Sequence, residues 1–496
     1  MTDTSHDSRS IRLQQSHAAQ GDLLAGYQLY LSWLKGKLGA ELNPKRAEQQ
    51  LNTLKKEAQN AHFVLTKLSL HNFRRYGHLD IELDEKLTVI VGENGAGKTS
   101  IVDATAALLS WFASRFIKVN NSGSRILDSD IHVTAPDYAQ VAGYFQLNDN
   151  TRFGLSLVRP VTGRAGDVAS ELQAATLLGS LYRLLAENDS EQELPVFACY
   201  PVDRSGLDTP QSISESRLTN QFNQRFNTYN DIVRGPARHG HFLEQYLILN
   251  NLAESGNPMH SQQLKQVNQA IETAVPNISN LHIDRSSGKA EIKLDNFGNR
   301  LNFTQLSQGQ KILAATVGDL ALRMIGLNPQ MDNPLRAQGI VLIDEIDLHL
   351  HPGLQQKVMP GLQATFPNLQ WIITTHSPHV LSTVDANCIR KIEFDNHEAT
   401  ATKPSFQTKG VISANVLEQI MGTHAVPDIE ESGWISEYQG LIQNYQWDTD
   451  KGRSLRAQLL KHFGANHLVM EDLDGQIRLA QLKQKYAARK KEPGRA

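Results

Sequence analysis

The run Gly92-Glu93-Asn94-Gly95-Ala96-Gly97-Lys98-Thr99 has the residue types and spacing of a phosphate-gripping loop, G-x-x-x-x-G-K-[ST]. Glycines let backbone N–H groups close around phosphate oxygens, and a helix starting at that point adds partial positive charge. The expected contact set is Glu93, Asn94, Gly95, Ala96, Gly97, Lys98, Thr99 and Ser100. Lys98 is expected to reach the β- and γ-phosphates of ATP, and the Thr99 hydroxyl to ligate Mg2+. Such a loop needs a strand before it and a helix behind it. The apolar run Leu87-Thr88-Val89-Ile90-Val91 reads as the strand, and Ser100 to Phe116, with few breakers, as the helix.

Other strand ends carry reactive groups. Gly339-Ile340-Val341-Leu342-Ile343 runs into Asp344-Glu345, and Trp371-Ile372-Ile373-Thr374-Thr375 runs into His376. Asp344 is expected to hold Mg2+, directly or through water, and Glu345 to orient and deprotonate the attacking water. Leu306-Ser307-Gln308-Gly309-Gln310-Lys311 opens a helix running to about Ile325, and its start, with the Ser307 hydroxyl, suits a γ-phosphate. His349 and His351 have no evident third ligand and read as a loop-to-helix connection rather than a metal pair. Near-continuous apolar strands separated by helices imply an α/β fold with a parallel sheet covered on both faces. Ligands bind such sheets at the strands' carboxyl ends.

The bulk numbers are those of an ordinary globular chain: 496 residues, 40% hydrophobic, 20% charged, net charge -3. That charge offers no global attraction for nucleic acid or an anionic membrane. Cys199 and Cys388 are the two cysteines, which argues against a disulfide framework or a cysteine-rich zinc site and suits a cytoplasmic protein. Met1 to Ser10 is polar, so no secretory signal is expected, and no stretch has the length and apolarity of a membrane span.

Along the chain, residues 1–16 read as disordered and 17–60 as helices with Leu23, Leu24, Tyr27, Tyr30, Leu31 and Leu34 at helical spacing. The expected N-terminal extension, 1–61, is either one Sel1- or tetratricopeptide-like unit or a helical hairpin capping the core. A β-hairpin, Phe63–Leu70 with Leu79–Leu83, precedes the loop strand; β-rich segments follow at 124–160 and Ile278–Phe303. Residues 165–190 read as helix and Pro195-Val196-Phe197-Ala198-Cys199-Tyr200-Pro201 as a buried strand. From Asp203 to about Pro276 the chain is polar and reads as an inserted helical lobe without the heptads of a long coiled coil. The head is expected over 62–395 and a helical, partner-docking region over 396–496, ending in the basic run Lys483, Lys485, Arg489, Lys490, Lys491, Arg495. That run is read as a solvated helix end or tail in preference to a nucleic-acid contact.

Taken together, Gly92–Thr99, Leu306–Lys311, Asp344-Glu345-Ile346-Asp347-Leu348-His349-Leu350-His351-Pro352 and Thr374-Thr375-His376-Ser377-Pro378 resemble the ABC-type ATPases of the OLD and RecF group over about residues 62–395. The resemblance implies an ABC-type P-loop head with a mixed or parallel sheet, in which two heads sandwich two ATP molecules. Ser307 and Gly309, in a variant of the LSGGQ signature with Gln308 at its third position, would face the partner's nucleotide. Asp347 falls where the family's D-loop meets the other subunit, and His376 at its γ-phosphate-sensing histidine. Arg74, in the hairpin turn His71-Asn72-Phe73-Arg74-Arg75-Tyr76, is a candidate nucleotide contact, with a solvated turn as the plainer reading. Asp130, in Ile126–Ile131, falls where relatives carry a metal-facing polar residue. Within the group the chain is similar to the PtuA-type ATPases of Septu antiphage systems, in their retron-associated form. The Asp-Glu-Ile-Asp-Leu-His-Leu-His-Pro run, Tyr200-Pro201-Val202-Asp203-Arg204 and the short helical C-terminus carry that likeness. It implies a homodimer or higher oligomer, an HNH nuclease partner of the PtuB type, and in retron forms a reverse transcriptase with its RNA–DNA product. An OLD-type nuclease is the alternative, with Glu471-Asp472-Leu473-Asp474 as a crude D-x-D; a RecF-like repair ATPase is another.

Overall fold

The computed structural model describes residues 9–36, 40–163, 168–202, 225–230, 239–286, 288, 290–395, 398–423 and 426–490. The first helix, α1 (Arg9–Ala19), corrects the expectation of disorder through residue 16, because Ile11 and Ala18 are buried. A hairpin of α2 (Leu23–Lys35) and α3 (Pro44–Ala58) follows. Asp22 caps α2 by accepting the amides of Leu24 and Ala25, and Gly36 ends it at φ 60. The Leu23 amide donates to Thr151 Oγ1 at 2.9 Å and the Asn148 side chain to Gly21 O at 3.0 Å, which ties the hairpin to the body of the head.

Strands β1 (Val64–Phe73) and β2 (Tyr76–Glu82) form an antiparallel hairpin. Next come the fully buried β3 (Leu87–Val91) and α4 (Lys98–Ile117). Strands β4 (Tyr138–Gln146) and β5 (Arg152–Pro160) complete a four-stranded sheet in the order β2-β1-β4-β5. The chain then runs through α5 (Gln173–Asn188), β6 (Val196–Tyr200), α6 (His239–Glu254), α7 (Pro258–Ala274) and the small sheet β7 (Ile278–Asp284), β8 (Glu291–Asn296), β9 (Asn299–Asn302). After α8 (Gln308–Leu327) come β10 (Gly339–Ile343), α9 (Pro352–Thr365), β11 (Leu369–Thr374), α10 (Pro378–Leu381), β12 (Ile389–Asp395) and β13 (Glu398–Thr402).

The central sheet has the order β13-β12-β3-β11-β10-β6. All neighbours pair in parallel except β12 and β13. Parallel pairing sends Val91, Thr374, Ile343 and Tyr200 to the same edge, so the loops that follow them share one face. This is the α/β head with a mixed, largely parallel sheet.

Helix α4 lies between the two large sheets. Phe112, on α4, meets Phe63 at 4.9 Å and Phe145 at 5.0 Å between ring centroids, and Phe63 meets Phe197 at 5.1 Å. Each such ring contributes about 1.5–3 kcal/mol by leaving water. Two buried glutamines bridge the sheets. Gln338 Oε1 accepts the Phe63 amide at 2.6 Å, and Gln370 both accepts the Leu65 amide and donates to its carbonyl. The Gln338 oxygen and both ends of the Gln370 amide are thus paired, as burial demands.

Of the expected insertion, residues 203–224 and 231–238 lie outside the described residues, as do Asp203 and Arg204. Helices α6 and α7 pack on the body. The Phe242 ring fills the space over Gly318 of α8, where a Cβ would lie 2.1 Å from Cε2. The sheet runs past residue 395, because Lys391 to Asp395 pair with Glu398 to Thr402. The alternating polarity of Glu398-Ala399-Thr400-Ala401-Thr402 carries that strand. The chain divides into two compact units, Met1–Val416 and Leu417–Ala496, correcting the boundary expected at 396.

Helix α11 (Ser413–Met421) spans that division. The second unit holds α12 (Glu430–Gln443), α13 (Asp450–Phe463) and α14 (Leu468–Lys490). They share a core of Tyr438, Ile442, Leu455, Leu459, Met470, Leu473 and Ala480. Lys491 and Arg495 of the basic run lie outside the described residues. Among the described residues, the one helix long and apolar enough to cross a membrane is α4, and 67% of that window is buried inside the fold.

Candidate active site

Strand β3 delivers the chain into a loop that only glycine can shape at two points, Gly95 at φ 77 and Gly97 at φ 85. The Ala96 amide closes a turn onto Glu93 O at 3.0 Å. Gly97 sits at the N-cap of α4 and offers no side chain to cap it. First-turn amides of a helix have no partner of their own, which makes this end an anion seat. Lys98 Nζ lies across the mouth, donating to Gly92 O at 2.9 Å and Glu93 O at 3.1 Å. Burial holds the Lys98 ammonium below the ordinary lysine range, while Glu345, Asp344 and Asp347 pull it back up. Glu93, Asn94, Gly95 and Thr99 are exposed at the rim; Ala96, Lys98 and Ser100 are buried.

The acids come from the neighbouring strand ends. Thr99 Oγ1 donates to Asp344 Oδ2 at 2.7 Å, and Thr374 Oγ1 donates to the other oxygen, Oδ1. The Glu345 amide donates back to Thr374 Oγ1 at 2.7 Å. Glu345 itself has φ 49, an uncommon conformation for a non-glycine residue and one that gathers at functional sites. Asp347 accepts from Thr375 Oγ1 at 2.5 Å and from the His376 amide at 3.2 Å. Burial, and then the Lys98 charge, hold the His376 imidazole below its usual range against the pull of Asp347, Glu345 and Asp344. Lys98, Asp344, Glu345, Asp347 and His376 therefore lie within one another's electrostatic reach. A hydroxyl and a carboxylate oxygen 2.7 Å apart beside a phosphate seat are hard oxygen donors of the kind Mg2+ takes.

Ser307 and Gly309 occupy a different setting. Ser307 is exposed and caps α8, its Oγ accepting the Gln310 amide at 3.4 Å and donating to Gln310 Oε1 at 3.0 Å. Gly309 is packed so tightly that a Cβ would lie 2.4 Å from His349 O. That contact couples the signature turn to the loop following Asp347. His351 caps α9 through Nδ1, which accepts the Gly353 amide at 3.2 Å.

The hairpin turn reaches the loop one residue later than the sequence implied. Arg74 is held by Asp103 at 2.6 Å and Asp130 at 2.9 Å. Asp103 stands one turn beyond Thr99 on α4, so this network borders the site without entering the loop. The second oxygen of Asp130 accepts the Leu127 amide at 2.9 Å. Arg75 donates to Gly95 O and lies over the Phe394 ring at 4.1 Å. Tyr76 Oη donates to Ala96 O at 2.6 Å.

The family described as "AAA domain, putative AbiEii toxin, Type IV TA system" matches residues 87–382, more than half of the chain. The chain belongs to this AAA-domain family. It is an ATPase, and Lys98, Asp344, Glu345 and His376 lie within one another's electrostatic reach. The retron Vc95 probable ATPase of Vibrio cholerae serotype O1 biovar El Tor is 28% identical over 497 residues, covering 90% of this chain and 96% of that protein. The retron Ec83 probable ATPase of Escherichia coli is 27% identical over 519 residues, covering 92% and 94%. Similarity to the Septu protein PtuA of Bacillus mycoides (strain KBAB4) is partial: 28% over 198 residues, 39% of this chain and 27% of that protein. The likeness to the two retron ATPases thus runs nearly end to end, whereas that to PtuA does not.

Sequence reasoning about this AAA-domain ATPase missed Arg75, Tyr76, Thr374 and Phe394. The dipeptide Arg75-Tyr76 stood in plain view, but nothing local tells which residue of a turn points at a distant loop. Asp472 and Asp474 of the run Glu471-Asp472-Leu473-Asp474 have neighbours within their own helical unit. Asp474 pairs with Arg456 at 2.6 Å, Asp472 accepts from Gln476 at 2.8 Å, and Leu473 is buried. Among the described residues no group of three or more His, Cys, Asp or Glu could hold a metal.

Proposed function

We propose that the chain is the ATP-driven regulatory subunit of an antiphage defence complex, in which ATP-bound heads pair and so control a nuclease carried by a partner. The observation that carries this reading is one chain bearing both a cradle with an exposed rim at Glu93–Gly95 and Thr99, and a separate exposed helix start at Ser307. Head-to-tail pairing of two copies would bring Ser307 and Gly309 of each against the γ-phosphate on the other's Lys98, with Asp347 at the seam. The near end-to-end likeness to proteins named as retron ATPases supports the defence setting. By analogy with the PtuA type, the partner is an HNH nuclease, joined by a reverse transcriptase and its RNA–DNA product, in the cytoplasm.

Within a head, Thr99 and Asp344 would hold Mg2+, which neutralises phosphate charge when bound. Glu345 aligns the attacking water and takes its proton. Lys98 stabilises charge on the transferring phosphoryl group, and a neutral His376 offers a hydrogen bond to the γ-phosphate. Asp130 and Arg74 would tune this site from its border. Purification from the native host is the test. The complex should contain a nuclease whose DNA cleavage rises when ATP is depleted. A chain that purifies alone and cleaves DNA with Mg2+ would replace this reading with the nuclease one.

A further inference from the structure

Tyr76 belongs to the antiparallel sheet, yet its side chain ends in the phosphate loop of the other one. It is fully buried, and its hydroxyl donates to Ala96 O at 2.6 Å. Gly97 lies against the same ring: a Cβ there would sit 2.6 Å from Oη and 2.9 Å from Cζ. Phe394, at the end of β12, stacks on Tyr76 at 5.9 Å with 10° between the planes, and carries Arg75 on its ring. Arg75 in turn holds Gly95 O. Two successive carbonyls of the loop are therefore gripped from one hairpin turn, with an aromatic ring of the central sheet between the two grips.

A trans peptide is planar, so its N–H points opposite to its C=O. Pinning Ala96 O to Tyr76 therefore fixes where the Gly97 N–H points, away from the hairpin and toward the phosphate seat. Gly97, at φ 85 and without a Cβ, is otherwise the loop residue freest to rotate that plane. Burial raises the Tyr76 phenol above its usual range, which keeps it a donor.

We propose that Tyr76 is a positioning residue for ATP binding, one that sets the Gly97 amide for a phosphate oxygen before the nucleotide arrives, with Arg75 supporting it. Preorganised donors bind without the cost of ordering them. The inference rests on the reading of the loop as the ATP seat, so Lys98→Ala is run beside it. Tyr76→Phe keeps the ring, its stacking on Phe394 and its contact with Gly97, and removes only the hydroxyl. The expected result is a KM for ATP raised roughly 3- to 10-fold, with kcat within about twofold of wild type. The inhibition constant of inorganic tripolyphosphate should rise by the same factor, because the effect lies in phosphate contact. A wild-type KM, or a lower kcat at wild-type KM, overturns the proposal. Should Tyr76→Phe fail to fold, Arg75→Ala, at an exposed side chain, is read by the same criteria. Normal ATP binding by Lys98→Ala would instead sink the assignment of the seat itself.

Discussion

The chain carries two helix starts that look alike in sequence and differ in three dimensions. Each combines glycine with a hydroxyl residue, Gly97-Lys98-Thr99 in one and Ser307-Gln308-Gly309 in the other. The first is surrounded by its own chain: Asp344 on Thr99, the Gly92 and Glu93 carbonyls on Lys98, Arg75 and Tyr76 on the loop carbonyls. The second spends its hydroxyl on Gln310 and faces solvent, anchored from behind by Gly309 against His349. A helix start is an anion seat by virtue of its amides alone. Tertiary neighbours decide whether it is complete or needs a second surface to face.

Glu345→Gln should have the largest effect. If Glu345 is the base, the substitution removes it and leaves the loop intact, so hydrolysis should fall about 10²–10⁴-fold while ATP stays bound. Steady-state phosphate release and filter binding measure the two, and a wild-type rate would remove Glu345 from its role. Next, Lys98→Ala should weaken ATP binding by roughly 100-fold, losing charge-assisted contacts at the enclosed start. Ser307→Ala, at the open start, should leave ATP binding to isolated heads within about twofold, because it touches only its own helix. Equal losses from both would erase the distinction between the two sites.

A smaller effect should appear with pH. His376 is depressed in the folded state, so below the ordinary histidine pKa of about 6.5 the unfolded chain takes up a proton that the folded one resists. Its contribution to stability is present above that value and is lost as pH falls through the folded pKa. His376→Gln should flatten the dependence of melting temperature on pH between about 7.5 and 5.5 relative to wild type. An unchanged slope would mean that His376 titrates as in the unfolded chain.

The enclosed start was the more legible of the two in the sequence, because a loop bounded by Leu87–Val91 and an unbroken helix is specified locally. Asp344, Glu345 and His376 were legible for the same reason: each ends an apolar run, and parallel pairing sends all such ends to one edge. What stayed hidden depended on packing between distant segments. The choice of Arg75 and Tyr76 over Arg74 is set by how one sheet docks on another. Thr374, whose hydroxyl both supports Asp344 and receives the Glu345 amide, read only as part of a strand. Residues 398–402 give a weak strand signal in the sequence, because a short edge strand of alanine and threonine carries little apolar pattern. The burial of Ile11 depends on contacts beyond its own helix.

The central claim, that each active site takes Ser307 from a second copy, is tested most directly by mixing two inactive variants. Lys98→Ala lacks the cradle but keeps Ser307; Ser307→Arg keeps the cradle but blocks the facing surface. The account predicts that each alone hydrolyses ATP at background rate, and that their mixture regains a substantial fraction of wild-type activity through one intact composite site per pair. A mixture as inactive as its parts, or a Ser307→Arg protein as active as wild type, would contradict it.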